Sequence, residues 1–356
     1  MGEGFGVGKG RRAVLASVLL LGMPVWAAEQ KPAADAAKPE ATSVGEEPLP
    51  SDAEKAAGEE KKGLRVRPFG RVFARVSADE RNAFERSLSI PSARVGLAAS
   101  LSHVDAEVTA DLSSKTMLKD AYLRVSDGKK RLRLYGGQFK APFLARELES
   151  AWQLPLMRRG LVADYLEDEH DLGGRRLGLM GEVSLKNVWK LKVSGGVFQG
   201  AKDDDTGVRA SEDAALRVSA RPLKFLSVGA STYLTQVFQG TRHHAVAADT
   251  TLHLGGLEVS GEYVNGRLAV GTFSAQLGLA SYTLPVGLEG WALQPVVGAE
   301  SLQLQGPLKA RGYGLVGGLN VLYSEHFKAQ FQAERALRPG DEAPGFEYSL
   351  QLATRF

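Results

Sequence analysis

The stretch EYSLQLATRF, residues 347–356, keeps a strict period of two along its whole length. Starting one residue earlier, Phe346, Tyr348, Leu350, Leu352, Thr354 and Phe356 share one parity, and Glu347, Ser349, Gln351 and Arg355 share the other. Side chains alternate between two faces only on an extended strand, so the stretch reads as a strand with one apolar and one polar face. Chain ends ordinarily fray and carry little pattern. A strand that stays regular to a terminal aromatic ring is expected to be paired along both edges.

The same alternation runs back through most of the chain. In HVDAEVTAD (103–111), Val104, Ala106, Val108 and Ala110 oppose His103, Asp105, Glu107, Thr109 and Asp111. RLRLYGGQF (131–139) sets Leu132 and Leu134 against Arg131, Arg133 and Tyr135, and HFKAQFQAER (326–335) sets Phe327, Ala329, Phe331 and Ala333 against Lys328, Gln330, Gln332 and Glu334. From Leu64 onward about sixteen such segments can be counted, each near the roughly 9–11 residues that a tilted strand needs to cross a bilayer.

Connections alternate as well. Short turns such as 101–103 and 126–130 follow even-numbered strands, and Asp127-Gly128 is a tight-hairpin signal. After odd-numbered strands several connections are long and polar, at 77–86, 140–173, 200–212, 235–244 and 336–345. One end of short turns and one of long loops is the pattern of outer-membrane barrels. A soluble sandwich would have to bury the charged parity unpaired, at several kcal/mol per group. A water-filled lumen removes that cost, and closure removes the open edges. The expected architecture is all-β: a transmembrane antiparallel β-barrel of about sixteen strands over residues 64–356.

Composition agrees. The chain has 44% hydrophobic residues, no cysteine and a net charge of +3, with a mean hydropathy of -0.15. Absence of cysteine excludes disulfide scaffolds, cysteine–zinc sites and thiol catalysis. The weak net charge, with no basic tract among aromatics, argues against a nucleic-acid partner. Residues 1–27 read as a secretory signal peptide: Lys9, Arg11 and Arg12 precede an apolar run too short to span a bilayer, and Val25-Trp26-Ala27 offers a cleavage site. Residues 28–63, rich in Ala, Glu, Lys and Pro with nine acids and five bases, are expected to form a disordered periplasmic linker. The implied location is integral in the outer membrane of a Gram-negative bacterium.

Parity also names the groups that would face a pore. Arg65, Arg67, Arg71 and Arg75 share one face of the first strand, and Arg94, Arg124, Arg131, Arg133, Arg176, Lys190, Lys192 and Arg217 fall on inner parities further along. Acids including Asp105, Glu107, Asp111, Asp120, Glu182, Asp213, Glu258, Glu262 and Glu334 share those faces, so paired lumen charges and a cationic ring are both open readings. The connection 140–173 is too long and too patterned for a plain turn. FLARELESAW (143–152) has helical spacing at Phe143, Leu144, Leu148 and Trp152, and such a loop must pack on something. Folded inward as the third extracellular loop it would narrow the pore. Lys140, Arg146, Arg158 and Arg159 would then be the cations at the constriction; an external lid with oligomer contacts is the alternative.

At this loop the sequence resembles a known family. KDAYLRV (119–125), GGQFKAPFLARELESAWQLPLMRRGLV (136–162), DLGGRRLGLMGEV (171–183), IPSARVGLAASL (90–101) and GLNVLYSEHFKAQFQAER (318–335) are similar to segments of the phosphate-selective porin O and P family. The resemblance implies a sixteen-stranded, trimeric outer-membrane barrel with an inward third loop, passing small anionic or hydrophilic solutes by diffusion, phosphate or polyphosphate among them. It places Lys140 at a motif position. Inner faces across 225–310 depart from the family's arginine-lined pattern, being mostly Ser, Gly, Thr and Gln with acids at Asp249, Glu258 and Glu262. A general, non-selective porin and a plugged structural or adhesive barrel therefore remain alternatives. The alternating end with its terminal ring (Phe346, Tyr348, Leu350, Leu352 and Phe356) resembles the signal read by the outer-membrane insertion machinery.

No enzymatic activity, cofactor or metal is expected. The six histidines are scattered, no G-x-S-x-G nucleophile elbow occurs, and His243 and His244 lack a third ligand. Asp203, Asp204 and Asp205 read as a solvated loop tip or a divalent bridge to lipopolysaccharide. The spelling GYGLVG at 312–317 matches a dinucleotide fingerprint but lies in an alternating strand without βαβ context.

Overall fold

The computed structural model describes residues 63–200, 211–238, 243–306 and 310–356. The signal peptide, nearly all of the 28–63 linker and the Asp203–Asp205 tip lie outside these residues. Alternation is realised as a meander: β1 (Arg65–Asp79), β2 (Arg86–Leu101), β3 (Val104–Asp111), β4 (Leu118–Ser126), β5 (Leu132–Lys140), β6 (Arg175–Leu185), β7 (Leu191–Gln199) and β8 (Glu212–Leu223) come first. Then follow β9 (Leu226–Leu234), β10 (His244–Leu254), β11 (Leu257–Leu268), β12 (Gly271–Tyr282), β13 (Leu284–Pro285), β14 (Trp291–Gln305), β15 (Ala310–Tyr323), β16 (Phe327–Leu337) and β17 (Gly345–Arg355). The two-residue β13 continues β12 along β14, so the wall has sixteen staves. Each stave pairs antiparallel with its sequence neighbours, and β17 returns to β1. The GYGLVG segment is part of β15, as alternation requires.

The closing seam runs from Arg71 opposite Arg355 to Asp79 opposite Glu347. It is extended by a reciprocal backbone pair in which Phe356 N–H donates to Gly70 O at 3.0 Å and Gly70 N–H to Phe356 O at 3.1 Å. The Phe356 ring lies directly over Gly70, where a Cβ would stand 2.5 Å from the ring's Cζ. A methyl group at this position would push the ring aside. Along β17 burial alternates without a break: Phe346, Tyr348, Leu350 and Leu352 are exposed outward, while Glu347, Ser349, Gln351 and Ala353 are buried inward.

The outer surface is a belt of exposed apolar side chains contributed by every part of the sheet, among them Leu97, Val108, Leu134, Leu179, Val246, Val297, Leu315 and Phe331. Apolar patches of that extent are unfavourable against water and match a bilayer interior. The interior is divided. Residues 141–174 fold into the barrel and form its apolar core. Phe143, Leu144, Val162, Tyr165, Leu166 and Leu172 pack on inward-facing Tyr135, Phe139, Phe198, Tyr233, Val264, Phe273 and Leu302. Burying each such side chain is worth about 1.5–3 kcal/mol, enough for a loop with little regular structure to hold one position.

Two sequence expectations are corrected. FLARELESAW forms only one helical turn, α1 (Ala145–Leu148), because Leu144 adopts a positive φ of 58° before it and the chain turns extended at Glu149. Arg131 and Lys190 are not on the lumen faces of strands. Both sit exposed in turns at the short-turn end, Arg131 next to the Asp127 turn and Lys190 with a φ of 48°. The long-loop end is itself uneven: β11 and β12 are joined there by Ala269 and Val270 alone.

Gly70→Ala and Phe356→Ala are each expected to lower the temperature at which the barrel loses its compact gel mobility. Because both act on one contact, the double variant should lose less than the sum of the two; heat-modifiable mobility in detergent measures it.

Candidate functional site: a loop pinned across a charged lumen

Two wall carboxylates receive the starts of the loop's two short helices. Glu262 on β11 accepts hydrogen bonds from Ala145 N (2.7 Å) and Arg146 N (3.3 Å), at the start of α1. Glu300 on β14 accepts from Leu161 N (2.7 Å) and Val162 N (3.2 Å), at the start of α2 (Leu161–Asp164). Amide donors at a helix start have no partner within the helix, and a carboxylate satisfies them well. Gly160, with a φ of 110°, lets the backbone come this close, since a Cβ there would sit 2.7 Å from a Glu300 oxygen.

Between these caps the loop crosses to the far wall. Trp152 O and Leu154 O accept from Lys328 Nζ, each at 2.9 Å. Pro155 O accepts from Asn320 (2.8 Å) and Gln330 (3.1 Å). Met157 N–H donates to Gln332 at 3.0 Å, and Met157 O accepts from Arg75 at 3.0 Å. The return limb is tied by Arg176, which donates to Gly173 O (3.0 Å) and the Asp171 carboxylate (2.9 Å).

The four cations expected at a constriction do different jobs. Lys140 Nζ donates to the carbonyls of Glu147 (2.7 Å) and Glu149 (2.9 Å), ending α1. Arg159 pairs with Glu147 at 3.1 Å and donates to Glu149 O at 2.9 Å. Arg146 is buried and pairs with Glu149 at 3.1 Å, while its Nε and Nη2 make no hydrogen bond among the described residues. Arg158 is one-third exposed and reaches Glu347 at 2.8 Å. Lys140, Arg146 and Arg159 thus hold the loop together, and Arg158 is the member most open to the lumen.

Along the wall, most of the basic residues are neutralised. Arg217 makes a two-pronged pair with Asp249 (2.8 and 2.9 Å). Arg124 meets Asp105 at 3.1 Å, and Glu182 is shared by Arg133 (3.0 Å) and Lys192 (2.9 Å). Arg94 lies between Asp111 (3.8 Å) and Asp120 (3.9 Å). Arg65 stands at the exposed start of β1, and Arg67 is partly exposed with its guanidinium 6.0 Å from the Phe69 ring centre.

One row runs against this pattern. The register places Arg355, Arg71 and Arg94 side by side across β17, β1 and β2. Like charges directly opposite are unfavourable. Glu325 relieves Arg355 at 3.2 Å, Asp111 and Asp120 relieve Arg94, Ser150 accepts from Arg71 at 3.4 Å, and aromatic faces add to this. Arg355 lies 5.0 Å from the Trp152 ring centre, Lys328 5.6 Å from the same ring, and Arg71 5.5 Å from that of Phe73. Cation–π contacts of this kind are worth roughly 0.5–2 kcal/mol each. Sequence parity marks Lys328 and Arg355 as inward, but only the loop's path reveals Trp152 between them. Glu300 and Glu262 were equally invisible as caps, because nothing in the sequence links them to residues 145 and 161.

The loop also carries a carboxyl pair. Glu167 hydrogen-bonds Glu147, and burial together with that neighbour pushes the Glu167 carboxyl up to about 8. Asp164 keeps contact with water, but the surrounding protein, then Asp168, pushes it up to about 6. A carboxyl raised in the folded state stabilises the loop fully below its ordinary value of 4.5 and loses that contribution as pH rises through about 8. The loop should therefore loosen progressively between those two values. Hydrogen exchange of residues 141–174 should rise over that interval, and Glu167→Gln should reduce the rise while leaving the part due to Asp164.

No family model matches the chain, and no curated protein matches it by sequence. Solved structures do. The outer membrane channel DcaP of Acinetobacter baumannii superposes with a TM-score of 0.62 at 12% identity, covering 85% of this chain and 100% of that one. The anion-selective porin from Comamonas acidovorans gives 0.61 at 10%, covering 83% and 100%. Outer-membrane expressed OmpT of Vibrio cholerae gives 0.62 at 12%, covering 84% and 99%. At this identity the likeness shows the fold: a closed, sixteen-stave antiparallel barrel of the kind built by outer-membrane porins.

Proposed function

We propose that the chain is an integral outer-membrane porin, exported by its signal peptide, through which small hydrophilic solutes diffuse. The observation that carries this reading is the wet, charged lumen on the short-turn side of the loop. Arg67, Asp105, Glu107, Arg124, Arg133, Lys192 and Glu258 all face inward and remain partly exposed, although they stand inside the barrel. A filled barrel would leave such groups dry, at a cost of several kcal/mol each. Porins among the structural neighbours support the class, and the trimer form described for OmpT of Vibrio cholerae supports the expectation of a homotrimer. Catalysis has no part in this proposal.

Selectivity is the finer part. Arg158, Arg67 and Arg355 are the partly exposed cations best placed to favour anions, and the resemblance to phosphate-selective porins makes phosphate one solute to test. The dense apolar packing beneath the loop favours a second reading, a barrel closed to solutes. Planar-bilayer recording separates the two: conductance steps support the porin, and their absence in correctly folded barrels would sink it. With an open pore, reversal potentials in a KCl gradient should show anion preference. Arg158→Glu should lower the anion-to-cation permeability ratio by roughly two- to fivefold, the size expected for a partly exposed charge. Lys140→Met should instead raise conductance and current noise, since it releases the end of α1 without facing the pore.

A further inference from the structure

The short-turn end of the barrel is charged unevenly. Its connections are 102–103, 127–131, 186–190, 224–225, 255–256, 286–290 and 324–326. Three successive ones, joining β4 to β5, β6 to β7 and β8 to β9, carry Lys129, Lys130, Arg131, Lys186, Lys190 and Lys224 against a single acid, Asp127. The others hold no lysine or arginine and two acids, Glu289 and Glu325. Asp127 is spent on its own turn, where it accepts from the Arg131 and Leu132 amides. All the cations of the three turns are exposed, and Lys129, Arg131, Lys186, Lys190 and Lys224 make no ion pair among the described residues. Backbone bonds stitch the turns into one rim. Ser184 N–H, at the end of β6, donates to Arg131 O at 2.8 Å, and Arg221 N–H, at the end of β8, donates to Trp189 O. Successive hairpins lie roughly 10 Å apart, so a group between two of them is within reach of cations from both. The same rim exposes Leu185, Val188, Trp189, Leu223 and Phe225, which continue the apolar belt of β6 and β8 to the edge of the sheet.

We infer that the turns of β4–β9 form a docking surface for acidic phospholipids of the periplasmic leaflet. Headgroup phosphates bridge cations of adjacent turns, and Trp189 and Phe225 sit at the boundary between headgroup and acyl chain. The inference goes beyond diffusion of solutes and needs only that the barrel stands in a membrane. Position commits the surface to lipid. These cations end strands whose outward faces are the apolar belt, which sets them at headgroup depth on the periplasmic side. Each lysine or arginine held there is attracted by an acidic leaflet. A water-soluble acid would engage the charges and leave the rings uncovered; a headgroup with its acyl chains takes both. The opposite arc of the rim is a built-in control. Trp291 and Tyr323 lie there with ring centres 4.7 Å apart, beside turns that carry Glu289 and Glu325 but no lysine or arginine. Rings without cations should take neutral and acidic lipids alike.

The test folds the full chain into vesicles of phosphatidylcholine and phosphatidylglycerol, with one lipid or the other brominated near the headgroup end of its chains to quench tryptophan. Emission removed by Trp189→Phe reports the basic arc, and emission removed by Trp291→Phe reports the opposite one. Phosphatidylglycerol should be preferred about fivefold at Trp189, the gain expected of one cation engaging one headgroup, and not at all at Trp291. Replacing Lys186, Lys190 and Lys224 together by Gln should bring the ratio at Trp189 close to one, in barrels whose compact gel mobility shows that they are folded. The same preference at both tryptophans, none at either, or a preference unchanged in the triple variant would overturn the site. The chain holds one other acidic candidate, residues 40–60, with seven acids and one base. A preference that appears only after their deletion would assign the turns to that segment and overturn lipid as the occupant. Quenching needs no open pore, so a barrel without conductance would sink the porin reading and leave this measurement to decide the surface.

Discussion

Every backbone N–H and C=O that enters hydrocarbon must find a partner within the protein, and a sheet does this only by closing on itself. The rest of the molecule depends on that constraint. Closure of β17 on β1 sends one parity of each strand outward and the other inward. The outward set becomes an apolar belt, and the charges of the staves are driven into one enclosed space. Crowding of charge in the lumen is thus a product of closure, and the pairs Arg217–Asp249, Arg124–Asp105 and Arg133–Glu182 are how the sheet accommodates it.

The same crowding explains how a poorly structured loop is held. Residues 141–174 bring unpaired amides and carbonyls into a space already lined with acids, amides and a lysine. Glu262, Glu300, Gln332, Asn320 and Lys328 lie at the right heights to take them. Leaving a buried backbone donor or acceptor without its partner costs roughly 1–3 kcal/mol, so each anchor is retained at an appreciable penalty for its loss. Cations otherwise available to a solute are consumed in this work. Lys140 and Arg159 look like pore residues in the sequence and are internal struts in the fold.

This division marks how far the sequence could be read. Period two decides which face each strand residue takes, so the barrel, the lumen parity of Arg71, Arg94 and Arg217, and the outward row from Phe346 to Leu352 were all legible. Turn conformation is set locally but without parity, and Arg131 and Lys190 were misplaced for that reason. Contacts across the lumen were out of reach. Ala145 and Glu262 are 117 residues apart, and Arg158 and Glu347 are 189 apart, with no periodicity to join them. Helical spacing in 143–152 was real, yet it served packing: Phe143 and Leu144 are buried while only one turn of helix forms.

Those long separations bear on the order in which the molecule can assemble. The loop follows β5 and packs on side chains of β5, β7 and β9. Its cross-lumen hydrogen-bond partners belong largely to β11 and β14–β17, so it is not fully held until most of the sheet exists. Loop closure of this span is entropically costly and is repaid only when the distant contacts form. Filling of the lumen and joining of the seam therefore fall together, late in folding. Until then the apolar face of 143–172 is covered only in part, and the nascent barrel carries a risk of aggregation up to the last step before completion.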